Sequence, residues 1–271
     1  GALSKQVRQL EQTLGFLLFE RTKREVRITR GGQTYVNAVR PLLLKLERTT
    51  NAVIEANQEK LVLNCAVLPS FAAHWLAPRL VRFAAVNPRL ALNCRAYYEP
   101  FNFDEEPMDI AIHVGRPNWP GTSAVHLFDE VLVAVSSPAY RDRLELVEPA
   151  DIARATLIHN AYRSALWHVW LDSLALDIEH PFGGYALDDF ISVAAAAENG
   201  LGVALIPEFC IREQLASGRL VSLFDHALRN AEAYYLVVPT AKENDPLIQR
   251  FSDWIGDEAA AAHRGSGNSS R

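Results

Sequence analysis

Between residues 61 and 258, short apolar runs of strand length alternate with amphipathic stretches of helix length. This alternation restricts the fold more than any other feature. Strands are expected at 61–68, 90–98, 109–114, 130–135, up to Ile158, 203–206 and 234–238. Helices are expected at 71–86, 165–174, 190–199, 208–216 and 246–258. Strands that alternate with helices pair in parallel through crossover helices. The prediction is an α/β protein with largely parallel sheets, divided into two small lobes. Gly200-Leu201-Gly202 follows a predicted helix and precedes a predicted strand. That is the reverse of the order a dinucleotide phosphate loop needs, so it reads as a helix cap and a tight turn.

Before residue 60 the periodicity is helical. Leu3, Val7, Leu10 and Leu14 recur at helical spacing and Gly15 closes the run,. Residues 21–29 are basic, with Val26 and Ile28 alternating with Arg27 and Thr29, which suits a short hairpin with one packed face. From Gly32 to about 59, Val36, Val39, Leu43, Leu46, Thr50 and Val53 step by three and four, the spacing of a two-helix seam,. Pro41 lies inside this helix and is expected to bend or locally break it. The chain opens Gly-Ala-Leu-Ser inside the first helical pattern, and is expected to be a fragment of a longer protein.

Charge follows the same division. Residues 1–59 hold ten Lys and Arg against six Glu, a net +4, and the rest holds 17 basic and 26 acidic groups, a net −9. A basic head on an acidic body suggests a polyanion-binding module joined to something else. Apolar side chains make up 49% of the chain, which excludes wholesale disorder. No apolar run reaches membrane-spanning length, and nothing reads as a signal peptide. Cys65, Cys94 and Cys210 form no CxxC pair and no even disulfide framework, which favours a reducing, cytoplasmic setting,. There is no GxSxG elbow, no phosphate-binding GxxxxGK[ST] loop and no HExxH, and the eight histidines lack metal-ligand spacing,. No enzyme, metal or cofactor is expected.

Leu3-Ser4-Lys5-Gln6-Val7-Arg8-Gln9-Leu10-Glu11, then Leu14-Gly15, Leu18-Phe19-Glu20-Arg21, Ile28-Thr29 and Gly32 together resemble the DNA-binding end of the LysR-type transcriptional regulators. The resemblance implies that the first helix is the recognition helix of a winged helix-turn-helix, the basic hairpin its wing, and the long helix a dimerisation linker. Ser4, Lys5, Gln6 and Arg8 can reach base edges and phosphates. Arg21, Lys23, Arg24 and Arg27 suit phosphate or minor-groove contacts. The family's first two helices are missing, so binding to promoter DNA is expected of the parent full-length chain.

Residues 60–258 resemble the same family's effector-binding domain. Pro69-Ser70-Phe71-Ala72 with Trp75-Leu76-Pro78-Arg79-Leu80 and Phe83 is similar to the subgroup typified by the glycine-cleavage-operon activator. So are residues 108–115, Trp119-Pro120-Gly121, Leu187-Asp188-Asp189 and residues 200–207. The resemblance implies two Rossmann-like lobes of the periplasmic-binding-protein type, joined by crossovers near 128–133 and 232–235, with a small ligand between them. The division expected is a partial winged helix at 1–31, a linker helix at 32–59, one lobe from 60–130 and 235–262, a second from 131–234, and a disordered tail at 263–271.

Ser70 follows a strand and opens a helix, so it can receive a carboxylate or cap the helix. Asp188 and Asp189 open another helix, where they can cap it or face the cleft and favour an ammonium group. Together these suggest an amino-acid-like effector. The resemblance adds Phe71, Asp104 and Tyr234 as cleft residues, and His159 ends a strand from which it could reach the cleft mouth. His113 and His159 read more simply as surface or satisfied core histidines, and Trp119-Pro120-Gly121 as a rigid turn. The function expected is a regulator that changes promoter binding when a small metabolite closes its lobes, working as a homodimer or homotetramer with no membrane partner. A two-lobed solute-binding protein or an α/β enzyme using the same cleft is the alternative.

Overall fold

The computed structural model describes residues 2–21, 25–56, 61–178 and 184–266. The chain divides into two compact units, one ending at Glu59 and the other starting at Lys60.

The first unit begins with α1, Ala2–Leu14. Gly15 ends it in the left-handed region at φ +77°, and its N–H donates to the Glu11 carbonyl, the geometry that favours glycine after a helix. Strands β1 (Phe19–Arg21) and β2 (Val26–Ile28) pair antiparallel. Val26 and Ile28 are both exposed, so the hairpin does not bury the apolar face its alternation predicts. Leu18 is buried, whereas Leu3, expected on the apolar stripe of α1, is exposed. Helix α2, Arg30–Ala56, starts two residues earlier than predicted because Thr29 caps it. The Thr29 Oγ1 accepts from the Gly32 N–H at 2.9 Å,. At 1.5 Å per residue α2 is about 40 Å long, and Pro41 lies within it without breaking it.

The second unit is built on one eight-stranded sheet in the order β4-β3-β5-β10-β6-β9-β7-β8. The strands are β3 (Leu61–Val67), β4 (Leu90–Ala96), β5 (Ile110–Gly115), β6 (Thr122–Ser136), β7 (Leu157–Asn160), β8 (Gly184–Leu187), β9 (Val203–Pro207) and β10 (Val221–Pro239). One parallel set joins β4, β3 and β5, and another joins β9, β7 and β8. The antiparallel strands β6 and β10 run between them. Both are much longer than predicted, and each passes from one hydrophobic core to the other. Leu127, Tyr234, Leu236 and Val238 join a core with Phe71, Trp75, Phe83 and Phe251. Leu132, Val135, Leu223 and Leu228 join a core with Trp167, Trp170 and Val193. This makes the two-lobed α/β architecture of the periplasmic-binding-protein type.

Three further elements departed from expectation. The helix predicted at 71–86 starts at Pro69 and passes through a π turn at Ala72–Leu76 before Ala77–Val86. Leu68 is its N-cap residue, so Ser70 lies inside the first turn rather than capping it. The helix Pro138–Leu144 and strand β8 were not expected. The first has two turns and one buried residue, Tyr140, and β8 is a four-residue edge strand, so neither is long enough to set a period. Gly200 is left-handed at φ +78°, and a Cβ on Gly202 would lie 2.2 Å from the Thr156 carbonyl oxygen. The pair is the predicted cap and tight turn. Among the described residues no helix is long and apolar enough to cross a membrane.

Candidate functional site

The carboxyl ends of β3, β4, β7 and β8 deliver residues 68–70, 98–100, 160–163 and 188–190 to one cavity of about 230 Å³, with β5 and β10 supplying His113 and Tyr234. The space beyond the carboxyl ends of parallel strands is where α/β sheets leave a crevice, because the chain turns away there into its crossovers.

Its floor is an ion network. The Arg163 Nη1 and Nη2 donate to Oε1 and Oε2 of Glu130, both at 2.6 Å, and Nη2 also donates to Glu232 Oε2 at 2.7 Å. Tyr234 donates its hydroxyl to Glu130 Oε1 at 3.2 Å. Glu130 is 1% exposed, and a carboxylate so placed requires a bidentate partner. Burial works against the Arg163 charge, but the hydrogen bonds and charge of Glu130, with Tyr234 and Glu232, outweigh it and hold the guanidinium above its ordinary value. Burial, then the neighbouring Glu130 charge, pushes the Tyr234 phenol up. Burial, reinforced by the Arg163 charge, lowers His113 to about 4, so its imidazole is neutral near pH 7.

The rest of the lining is partly aromatic and acidic. Tyr98 and Tyr162 stack with ring centroids 4.4 Å apart and planes 7° from parallel. Burial and the charges of Asp189 and Asp188 raise the Tyr98 phenol. Asp189 caps the helix Phe190–Glu198, accepting from the Ser192 N–H at 2.8 Å and from the Ser192 hydroxyl, while Asp188 is exposed on the cavity lining. Ser70 lines the cavity at 4% exposure. Burial pushes the nearby Cys210 thiol up, an effect the Ser70 side chain opposes.

Of the effector residues expected from sequence, the structure brings together Ser70, Asp188, Asp189 and Tyr234. Three others lie outside the lining. Phe71 is a core residue, stacked 4.9 Å from Trp75 and 5.4 Å from Tyr234. His159 is buried inside β7, one residue before the strand end that delivers Asn160. Asp104 is exposed on a turn whose backbone is held by the Asn102 side chain. Sequence reasoning missed Glu130, Arg163 and Glu232, and the tyrosine pair. The acidic pair Asp129-Glu130 interrupting the otherwise apolar run 127–135 was the available signal for the first. Trp119 is more than a turn residue, since it packs against Phe101, Phe103 and His113.

In the first unit Lys5, Gln6 and Arg8 are exposed on α1 and Ser4 is half-buried. Arg27 is exposed on β2 and pairs with Glu25 at 2.7 Å. Arg21 ends β1, its side chain not described, and Lys23 and Arg24 lie outside the described residues. Glu11 ties α1 to the hairpin, accepting from the Leu18 and Phe19 N–H groups at 2.9 and 3.1 Å. A Cβ on Gly32 would lie 2.2 Å from the Leu18 carbonyl oxygen, so only glycine lets α2 approach the hairpin this closely.

Both units have known counterparts. Residues 1–33 match the family described as bacterial regulatory helix-turn-helix protein, lysR family, and residues 56–260 match the LysR substrate binding domain. The chain is 33% identical over 262 residues to the glycine cleavage system transcriptional activator of Escherichia coli (strain K12), covering 96% of this chain and 85% of that one. Its fold is similar to the effector domain of the transcriptional regulator AmpR of Pseudomonas aeruginosa, with a TM-score of 0.68 and 28% identity over 76% of this chain and 98% of that one. It is also similar in fold to CrgA, a LysR-type transcriptional regulator from Neisseria meningitidis, with a TM-score of 0.64 and 22% identity over 95% of this chain and 89% of that one. These families and relatives are regulators, which sets aside the enzyme and solute-binding alternatives. With a helix-turn-helix match at its head and an effector domain making up the rest, the chain belongs to the LysR family of bacterial transcriptional regulators.

Proposed function

We propose that the cavity at the carboxyl ends of β3, β4, β7 and β8 is the effector site of this regulator, and that its ligand is a small amino-acid-like metabolite. The observation that carries this reading is the convergence of Ser70, Tyr98, Arg163, Asp188 and Tyr234, drawn from both lobes, on one cavity. A ligand touching both lobes favours one degree of closure over another, and so shifts a population without covalent chemistry. In this reading Ser4, Lys5, Gln6, Arg8, Arg21, Lys23, Arg24 and Arg27 meet promoter DNA. Helix α2 pairs two chains, the dimers assemble to tetramers, and the protein works in the cytoplasm. The lobes are residues 60–130 with 235–262, and 131–234.

A thermal-shift screen of amino acids and related metabolites tests the site. Ser70→Ala and Asp188→Ala are expected to abolish ligand-induced stabilisation while leaving the ligand-free melting temperature nearly unchanged. Ligand-induced stabilisation that survives both substitutions would overturn the assignment.

A further inference from the structure

We propose that the molecule this cavity takes is an organic cation, whose ammonium or guanidinium group lies against the Tyr98–Tyr162 pair and the carboxylates of Asp188 and Glu99. The proposal rests on the cavity being the effector site and names the chemistry of its ligand.

The charges on the lining are lopsided. Among the described residues, Glu99, Asp188, Asp189 and Glu232 line the cavity, against Arg163 and His113. Arg163 is already spent on Glu130 and Glu232, with three hydrogen bonds to two carboxylates. A guanidinium shared by two carboxylates leaves that cluster net negative, so it offers no charge to an incoming acid. His113 is neutral near pH 7, because burial and Arg163 hold its titration at about 4. A ligand carboxylate would therefore meet a wall of net negative charge, and leaving such a group unpaired as water is excluded is costly.

The positive features that remain are weaker. The helix that starts at Pro69 points its amino end at the cavity, but a helix terminus carries only about half a charge. The amino end of the helix Phe190–Glu198 is occupied by Asp189. Arg116 lines an adjoining cavity of about 440 Å³ that shares His113 and Glu232. An acidic end of a longer ligand is served there, not beside Asp188.

The tyrosines point the same way independently. Tyr162 is 48% exposed, yet its ring is held parallel to Tyr98 on the cavity wall. Aromatic rings carry a negative face, which attracts ammonium and guanidinium groups, and Asp188 and Asp189 lie close enough to raise the Tyr98 phenol. Aromatic groups beside uncommitted carboxylates recognise organic cations.

The test is calorimetry and thermal shift on the intact protein with agmatine, putrescine and L-arginine, against succinate and L-glutamate as acidic probes. At least one cation is expected to stabilise the protein, and neither acid. The double variant Glu99→Gln, Asp188→Asn, at exposed positions, is expected to weaken the cation about tenfold, and Tyr162→Ala about fivefold. Failure of all three cations to bind would overturn the proposal. Stabilisation by succinate or L-glutamate that Tyr162→Ala weakens would also overturn the cationic class, while leaving the cavity as effector site. A cation whose binding neither variant changes would show that the effector site lies elsewhere.

Discussion

Arg163 reaches carboxylates that lie 33 and 69 residues away in the chain, and its neighbours at the cavity floor depend on it. Removing one partner of a buried pair leaves the other charge uncompensated, at a cost of about 3–5 kcal/mol. Arg163→Met is therefore expected to lower unfolding free energy by about that amount in urea titration. Adding Glu130→Gln should recover part of the loss, because the stranded charge is gone. Recovery of none of it would mean that the pair is not what the guanidinium contributes. His113 makes a separate prediction. Folded, its imidazole stays neutral down to about 4, whereas the unfolded chain takes up the proton near 6.5. Between those values the unfolded state binds more protons, so this contribution is fully present above about pH 6.5 and is lost as pH falls toward 4. The loss is on the order of 3 kcal/mol. The urea midpoint of the wild type should fall more between pH 7 and pH 4.5 than that of His113→Gln, and equal falls would contradict it.

Helix α2 shows how local chemistry sets an element and its approach to its neighbours. Thr29 supplies the cap, and its hydroxyl also donates to the Leu17 carbonyl at 2.7 Å, so one side chain ties the helix start to the turn before the hairpin. Thr29→Ala is expected to cost about 1 kcal/mol. Gly32→Ala forces a methyl toward the Leu18 carbonyl and should cost about 1–3 kcal/mol,. Hydrogen exchange of the amides at 30–36 reads both, and unchanged protection in Gly32→Ala would refute the close approach. Both residues are ordinary in composition. Their importance comes from where the β1–β2 hairpin brings Leu18.

At the scale of the molecule, β6 and β10 decide the architecture. Each is long enough to lend one half to each core, with register shifts in their pairing between Arg229 and Ala233 and between Tyr234 and Tyr235. The ion network sits at this crossing, where Glu130 and Glu232 face Arg163. Helix α2 has the opposite character, with little of its apolar surface covered. Leu43 and Leu46, both on the predicted seam, are 59% and 63% exposed, as expected of a helix that pairs with a second copy. Leu43→Asp with Leu46→Asp should shift the protein toward monomer in sedimentation velocity, and an unchanged mass would exclude this seam. The proposed wing is tested at the same scale, because contacts to phosphates would release counterions. Arg24→Ala with Arg27→Ala should reduce the slope of log affinity against log salt for promoter DNA by about 1–2, and an unchanged slope would remove these residues from the interface.

Periodicity and spacing along the chain determined the two-part organisation, the α1–hairpin–α2 order and most of the strands, since helix caps, turns and apolar repeats are local interactions, while the family was legible only as a resemblance of particular motifs. They also pointed to Ser70, Asp188 and Asp189, which line the cavity, because strand ends and helix starts are readable features, and the resemblance added Tyr234. They could not separate cavity from core at Phe71 and His159, where one residue of register decides which way a side chain points. They gave no sign that Arg163 would be neutralised by Glu130 and Glu232, or that Tyr98 and Tyr162 would stack. Those pairings join segments dozens of residues apart through the sheet crossing, and the charge left over in the cavity is a sum that exists only once the chain has folded.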